Sequence, residues 1–280
     1  NVGFRDDDVV LPKPPETFRV VCVGGSTTEE GDTNAFTYPN LVERGLGDRF
    51  PKRRIDVVNC GITGIQTLGE RMRLSDYLAL EPDLMVFYVG VNDVCYYLFP
   101  GWVFRADPLR KRLRQSRFLC HSFNQWLLVD DATVSAELDA FTIANLREMI
   151  QVLEARDVTV ALCSFAYPDI GNLPRAQRDY YTYYHEMEWG GRFVTFETYC
   201  KTMDVLNAKI RALCEETGAL YIPVAENIVG GAEYFGDICH MKNRGIIRKA
   251  DIVTEHLIPP LEAHFKAGGP GAGFPRHDVL

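Results

Sequence analysis

Five short runs rich in Val, Ile, Phe and Tyr punctuate the chain: Arg19–Gly24, Ile55–Asn59, Leu84–Val91, Val158–Phe165 and Leu220–Val224. Their hydrophobicity is continuous rather than alternating, which predicts strands covered on both faces, as in a parallel sheet between helices. Helical spacing separates them. The clearest case is Tyr199, Met203, Leu206, Ile210 and Leu213, ended by Gly218 as a helix C-cap would be. A second helix is predicted along Leu138, Phe141, Leu146, Met149, Ile150 and Leu153. A last one runs from Gly245 through Ala250, Val253 and Leu257, with Pro259-Pro260 expected to break or kink it. Strand alternating with helix implies right-handed crossovers and an α/β fold, a three-layer α/β/α sandwich on a five-stranded parallel sheet.

Two segments interrupt the alternation, about 95–133 and 166–195. Both exceed ordinary loop length and both follow strands, so they are expected at the carboxyl edge of the sheet. The second is dense in aromatics, among them Tyr180, Tyr184 and Trp189. The expected organisation is a lead-in over 1–18, a single domain over 19–266 carrying the two insertions, and a flexible Gly-rich tail over 267–280.

Short polar motifs close several strands. Gly24-Gly25-Ser26 follows the first, Asn59 to Gly64 the second, and Gly90-Val91-Asn92-Asp93 the third; Asp237 and His240 come after the fifth. All of them therefore fall at one sheet edge. With strand order 2-1-3-4-5, the switch point between the first and third strands is where open α/β sheets bind ligands, and Ser26 and Asn92 flank it. A hydroxyl, an imidazole with an acid three residues away and several potential oxyanion donors are the components of acyl transfer through a serine nucleophile.

Taken singly, each motif is ordinary: Gly-Gly-Ser-Thr is a common strand-to-helix turn, Gly-Val-Asn-Asp another turn, and Asp-x-x-His a local cap. No Lys follows to make a phosphate loop, and neither the dinucleotide pattern nor a G-x-S-x-G elbow is present. In their order and placement the four motifs resemble those of the SGNH (GDSL-like) hydrolases, over roughly Arg19 to Phe265. That resemblance implies the flavodoxin-like fold, Ser26 as nucleophile, His240 as base, Asp237 as its orienting acid, and an oxyanion hole from Ser26 N–H, Gly64 N–H and the Asn92 amide. Gly64 is expected to permit close backbone approach, and Asp93 to anchor the Asn92 loop. One departure is Gly25, where the family often carries Asp before its serine.

The expected activity is that of a serine esterase or deacylase, with small acyl groups on carbohydrate preferred. Tyr180, Tyr184 and Trp189 are candidates to meet the substrate. A carbohydrate O-acyltransferase with the same triad and a non-catalytic glycan-binding module are the rival readings. A net charge of -8 argues against a nucleic-acid partner. The eight cysteines show no CxxC or Cys/His spacing, so neither metal nor cofactor is expected. Ser164 reads as a core or turn serine, and the basic run from Arg105 to Arg117 as a solvated helix face. The stretch Asn1 to Asp6 resembles the segment just after an N-terminal anchor in some bacterial members, which implies an extracytoplasmic setting and an anchor outside the given sequence.

Overall fold

The computed structural model describes residues 3–99, 130–188 and 195–267, with the isolated positions Leu109, Arg112, Ser116 and Phe118. Most of the first insertion, Trp189 and the glycine-rich tail lie outside the described residues. The strands are β1 (Thr17–Gly24), β2 (Arg54–Gly61), β3 (Leu84–Tyr88), β4 (Thr159–Cys163) and β5 (Leu220–Ile222). All pair in parallel in the order β2-β1-β3-β4-β5, as the apolar runs predict. Every residue of β1 is buried, as befits a strand covered on both faces. The strand ends come level, with Gly24 opposite both Gly61 and Tyr88.

Around this edge run α1 (Ser26–Glu29), α2 (Tyr38–Arg49), α3 (Thr67–Met72), α4 (Leu74–Leu78) and α5 (Asp93–Leu98, wound as π turns). After them come α6 (Asp131–Leu138), α7 (Ala144–Glu154), α8 (Arg175–Glu188), α9 (Phe196–Thr217), α10 (Val224–Asn227) and α11 (Asn243–Lys266). Helix α2 packs on α11, while α3 packs on α7 and α6 on α9. The long amphipathic helix α9 starts under the Thr195 cap, whose hydroxyl accepts from Thr198 N–H, and stops at Gly218 with φ +80°.

Three features differ from expectation. The run Leu84–Val91 is strand only to Tyr88, because Gly90 takes φ +116° and Asn92 is already helical. Helix α11 continues through Pro259 and Pro260 to Lys266. Burial of Leu257, Leu261 and His264 on its inner face holds that last stretch in place despite the lost N–H donors. The lead-in, which composition marks as an appendage, is docked. Arg5 donates to the carbonyls of Glu29 (2.6 Å) and Gly31 (2.7 Å), and Asp6 accepts from the Asn59 N–H (2.6 Å). Among the described residues, no helix is long and apolar enough to cross a membrane.

Candidate active site

Ser26 opens α1 directly after β1. Two glycines let that helix sit tightly against the sheet edge. A Cβ at Gly24 would lie 2.4 Å from the Tyr88 carbonyl oxygen, and one at Gly61 2.3 Å from the Glu29 nitrogen. Any side chain at either place would lift Ser26 away from the strand ends. On the other side of the crevice, the segment 235–241 is pinned by a bridge between Phe235 and Met241. It presents His240 to the serine, with Ser26 Oγ 2.7 Å from His240 Nε2. His240 Nδ1 is 2.6 Å from Asp237 Oδ2, and Asp237 Oδ1 accepts from the N–H groups of Cys239 (2.8 Å) and His240 (2.7 Å).

These contacts set the charges. Burial alone would raise the Asp237 carboxyl, but the hydrogen bond and charge of His240, with the two N–H groups, hold it below its ordinary value. Burial would lower His240; Asp237 first and Glu30 after it outweigh that, and the imidazole ends above its ordinary value. Asp237, Cys239 and His240 also place three potential ligand atoms within 4.8 Å of one another. The 2.6 Å between Nδ1 and Oδ2 is a hydrogen-bond separation, too short for two donors on one ion with bonds of about 2.0–2.2 Å in tetrahedral array. Burial moreover keeps the Cys239 thiol protonated, its pKa well above the ordinary range. The seven described cysteines are free and buried, which suits small core residues.

The other expected oxyanion donors lie on the turns that follow β2 and β3. Gly64 has φ +76°, and a Cβ there would meet no protein atom within 4 Å. The backbone conformation, not lack of room among protein atoms, is therefore what favours glycine at 64. Asn92 is buried and donates one amide hydrogen to the Ile65 carbonyl (2.8 Å), leaving its second N–H for another acceptor. Asp93 accepts from Thr67 N–H (2.8 Å) and Thr67 Oγ1 (2.7 Å), tying the Asn92 turn to α3. Burial pushes its carboxyl up to about 6 against those hydrogen bonds. Gly25 is explained by Asn92: a Cβ at 25 would lie 2.5 Å from Asn92 Nδ2.

The fold has counterparts among known proteins. The model of the GDSL-like lipase/acylhydrolase family matches residues 22–245. The chain belongs to that family. No curated protein matches the sequence. Among solved structures, this family member is similar to an acetylxylan esterase from Geobacillus stearothermophilus, at 19% identity and a TM-score of 0.55 over 86% of this chain and 94% of that one. A second acetyl xylan esterase gives 17% and 0.54 over 85% and 98%. A protein described as a putative acylhydrolase, from Bacteroides fragilis, gives 16% and 0.51 over 87% and 88%. At such identities the likeness is one of fold.

The aromatic insertion takes a different place from a simple pocket wall. Tyr181 and Tyr180 on α8 donate to the carbonyls of Phe235 and Gly236, each at 3.1 Å, and Tyr199 on α9 donates to Ile238 (2.9 Å). Three hydroxyls thus cradle the segment that carries Asp237. Tyr180 remains half-exposed, and Tyr184 stands beside it with ring centroids 6.0 Å apart. Ser164 is buried, donating to Glu226 Oε2 (2.5 Å) and accepting from Ala225 N–H (2.9 Å). Sequence reasoning missed Tyr96, half-exposed, whose hydroxyl burial first and then the charges of Cys95, Cys239 and Asp237 push above its ordinary pKa. It also missed Lys249 and Glu30; a lysine on the apolar stripe Ile246, Ala250, Val253 was the available signal.

Proposed function

We propose that this family member is a metal-independent serine esterase or deacylase that removes small acyl groups from carbohydrate through an acyl-enzyme on Ser26. The observation that carries the proposal is the unbroken chain from Ser26 Oγ to His240 Nε2 at 2.7 Å and from Nδ1 to Asp237 at 2.6 Å. Neutral His240 takes the hydroxyl proton as Ser26 Oγ attacks the ester carbonyl, and Asp237 holds the tautomer and offsets the imidazolium charge. Ser26 N–H, Gly64 N–H and the second Asn92 amide hydrogen receive the oxyanion as it develops. Collapse of the tetrahedral intermediate expels the alcohol, which leaves with the proton from His240. Water then repeats the sequence on the acyl-enzyme and releases the acid.

Carbohydrate as the alcohol component is supported by the two acetyl xylan esterases of the same fold. Serine-to-alanine and histidine-to-alanine forms of the Geobacillus enzyme are described as catalytic mutants. Tyr180, half-exposed and hydrogen-bonded to the Gly236 carbonyl beside Asp237, and its neighbour Tyr184 supply surface of the kind that sugar rings favour.

The test combines fluorophosphonate labelling with turnover of p-nitrophenyl esters from acetate to long chains, beside acetylated xylo-oligosaccharides. Labelling at Ser26, preference for acetate, and undiminished activity in EDTA are expected. Ser26→Ala should lose several orders of magnitude while remaining folded. A Ser26→Ala protein that keeps a tenth of the activity would sink the serine mechanism; loss in EDTA reversed by a divalent ion would sink metal independence. Product analysis with an added acceptor alcohol separates hydrolysis from acyl transfer.

A further inference from the structure

A lysine facing a protein core is costly, because its charge leaves water. Lys249 is such a residue. It lies on α11 among the buried Ile246, Ala250 and Val253 and is itself fully buried. Its ammonium sits 4.7 Å from the ring centroid of Tyr38 and 4.5 Å from that of Tyr88, an aromatic enclosure suited to a cation. Lys249 Nζ donates to the Thr27 carbonyl (2.6 Å) and to Glu30 Oε1 (2.8 Å). Glu30 Oε2 in turn accepts from the Met241 N–H (2.8 Å).

The sequence positions give this pair its meaning. Thr27 follows Ser26, and Met241 follows His240. A single buried ion pair therefore grips the backbone next to each of the two side chains that must meet at 2.7 Å. The halves come from opposite ends of the chain, and no strand pairing joins them directly. Well-packed apolar residues would fill such a place at less desolvation cost, so stability alone is a poor account of the pair.

We propose that the buried Lys249–Glu30 pair is a positioning device for the reaction, locking the Ser26 turn and the His240 segment into mutual register. The inference rests on the esterase reading above. Neither side chain touches the reacting atoms; both act through Thr27 and Met241. Among the described residues, the charged and titratable groups facing His240 include Asp237 and Cys239 on its own segment, Ser26 and Glu30 on and just beyond α1, and Lys249 on α11. Of these, Asp237 and Glu30 favour the imidazolium and Lys249 opposes it.

The test uses the double variant Lys249→Met/Glu30→Gln, which removes both charges while keeping an acceptor for Met241, and the single variant Glu30→Gln. For p-nitrophenyl acetate the double variant should lose about tenfold or more in kcat, as misplacement of reacting groups does. KM should stay within about twofold, with a cooperative thermal transition retained. In Glu30→Gln the acid limb of kcat/KM and the His240 ring titration followed by NMR should both move to lower pH, which a purely structural role would not produce. A folded double variant with wild-type kcat, or a Glu30→Gln titration superimposable on wild type, overturns the proposal. Should the double variant fail to fold, the Glu30→Gln profile and titration decide. If wild type neither turns over esters nor takes the fluorophosphonate, the esterase reading fails instead, and the His240 titration alone judges the pair.

Discussion

At the scale of single residues, the site depends on two neighbours meeting without a spare atom between them. Gly25 and Asn92 approach so closely that a methyl at 25 would lie 2.5 Å from Asn92 Nδ2. Gly25→Ala should therefore turn the amide away from the crevice and mimic loss of one oxyanion donor. The expected cost is on the order of 10²–10³ in kcat with little change in KM, read from steady-state kinetics beside Asn92→Ala. If Gly25→Ala costs far less than Asn92→Ala, the amide tolerates displacement. The pH profile follows from the imidazole. His240 must be neutral to accept the serine proton, and the Asp237 and Glu30 carboxylates hold its pKa above the ordinary value of about 6.5. Activity should fall as pH drops through that raised pKa, so the acid limb of kcat/KM should lie above about 6.5; a limb well below it would mean that burial outweighs the two carboxylates at His240. Ser26, Asn92, Asp237 and His240 were legible in the sequence because each closes a strand or sits in a short polar motif. Lys249 and Glu30 were not, since their partner atoms are mostly backbone groups of residues over two hundred positions away.

At the scale of elements, α8 and α9 act on the site through tyrosine hydroxyls. Periodicity exposed α9, because its apolar spacing is regular and Gly218 stops it. It could not show that Tyr199 reaches past the core to the Ile238 carbonyl, nor that Tyr180 and Tyr181 hold the next turn of the same segment. A tyrosine run reads the same whether its hydroxyls meet substrate or backbone. Strand lengths were legible to within a few residues, failing where Gly90 turns the chain early. Two substitutions separate the roles of Tyr180. Tyr180→Phe removes only the bond to Gly236, so all esters should lose turnover in parallel, by about 0.5–1.5 kcal/mol at most. Tyr180→Ala removes the half-exposed ring as well, and kcat/KM for large relative to small esters should shift by about 1–3 kcal/mol. Equal ratios for wild type and Tyr180→Ala across a p-nitrophenyl ester series would leave the ring without a part in specificity.

At the scale of the whole molecule, the order β2-β1-β3-β4-β5 leaves β2 as an edge strand. The topology was legible because continuous hydrophobic runs and crossover helices admit few alternatives; the protection of that edge was not, because it is made by isolated side chains. Glu43 on α2 accepts from the Val57 N–H (2.7 Å), and Asp6 of the lead-in accepts from Asn59 N–H two residues on (2.6 Å). Carboxylates thus cap outward donors that could otherwise recruit another strand. Holding them there has a cost. Burial raises the Glu43 carboxyl above its ordinary value, and the nearby Asp56, Asp6 and Asp7 add to the rise. A carboxyl with a raised folded pKa is least unfavourable when protonated in both states, and its charge lowers stability as pH rises through the folded value. Glu43→Gln keeps an oxygen for Val57 while removing that charge. Its thermal midpoint at pH 7 should equal or exceed wild type, and the difference should shrink as pH falls below about 4.3, where the unfolded carboxyl also protonates. Glu43→Ala strands the Val57 N–H instead and should lower stability by about 1–3 kcal/mol at either pH. Melting curves of the three proteins at both pH values decide it. A Glu43→Gln protein clearly less stable than wild type at pH 7 would mean that the charge strengthens the cap by more than its burial costs.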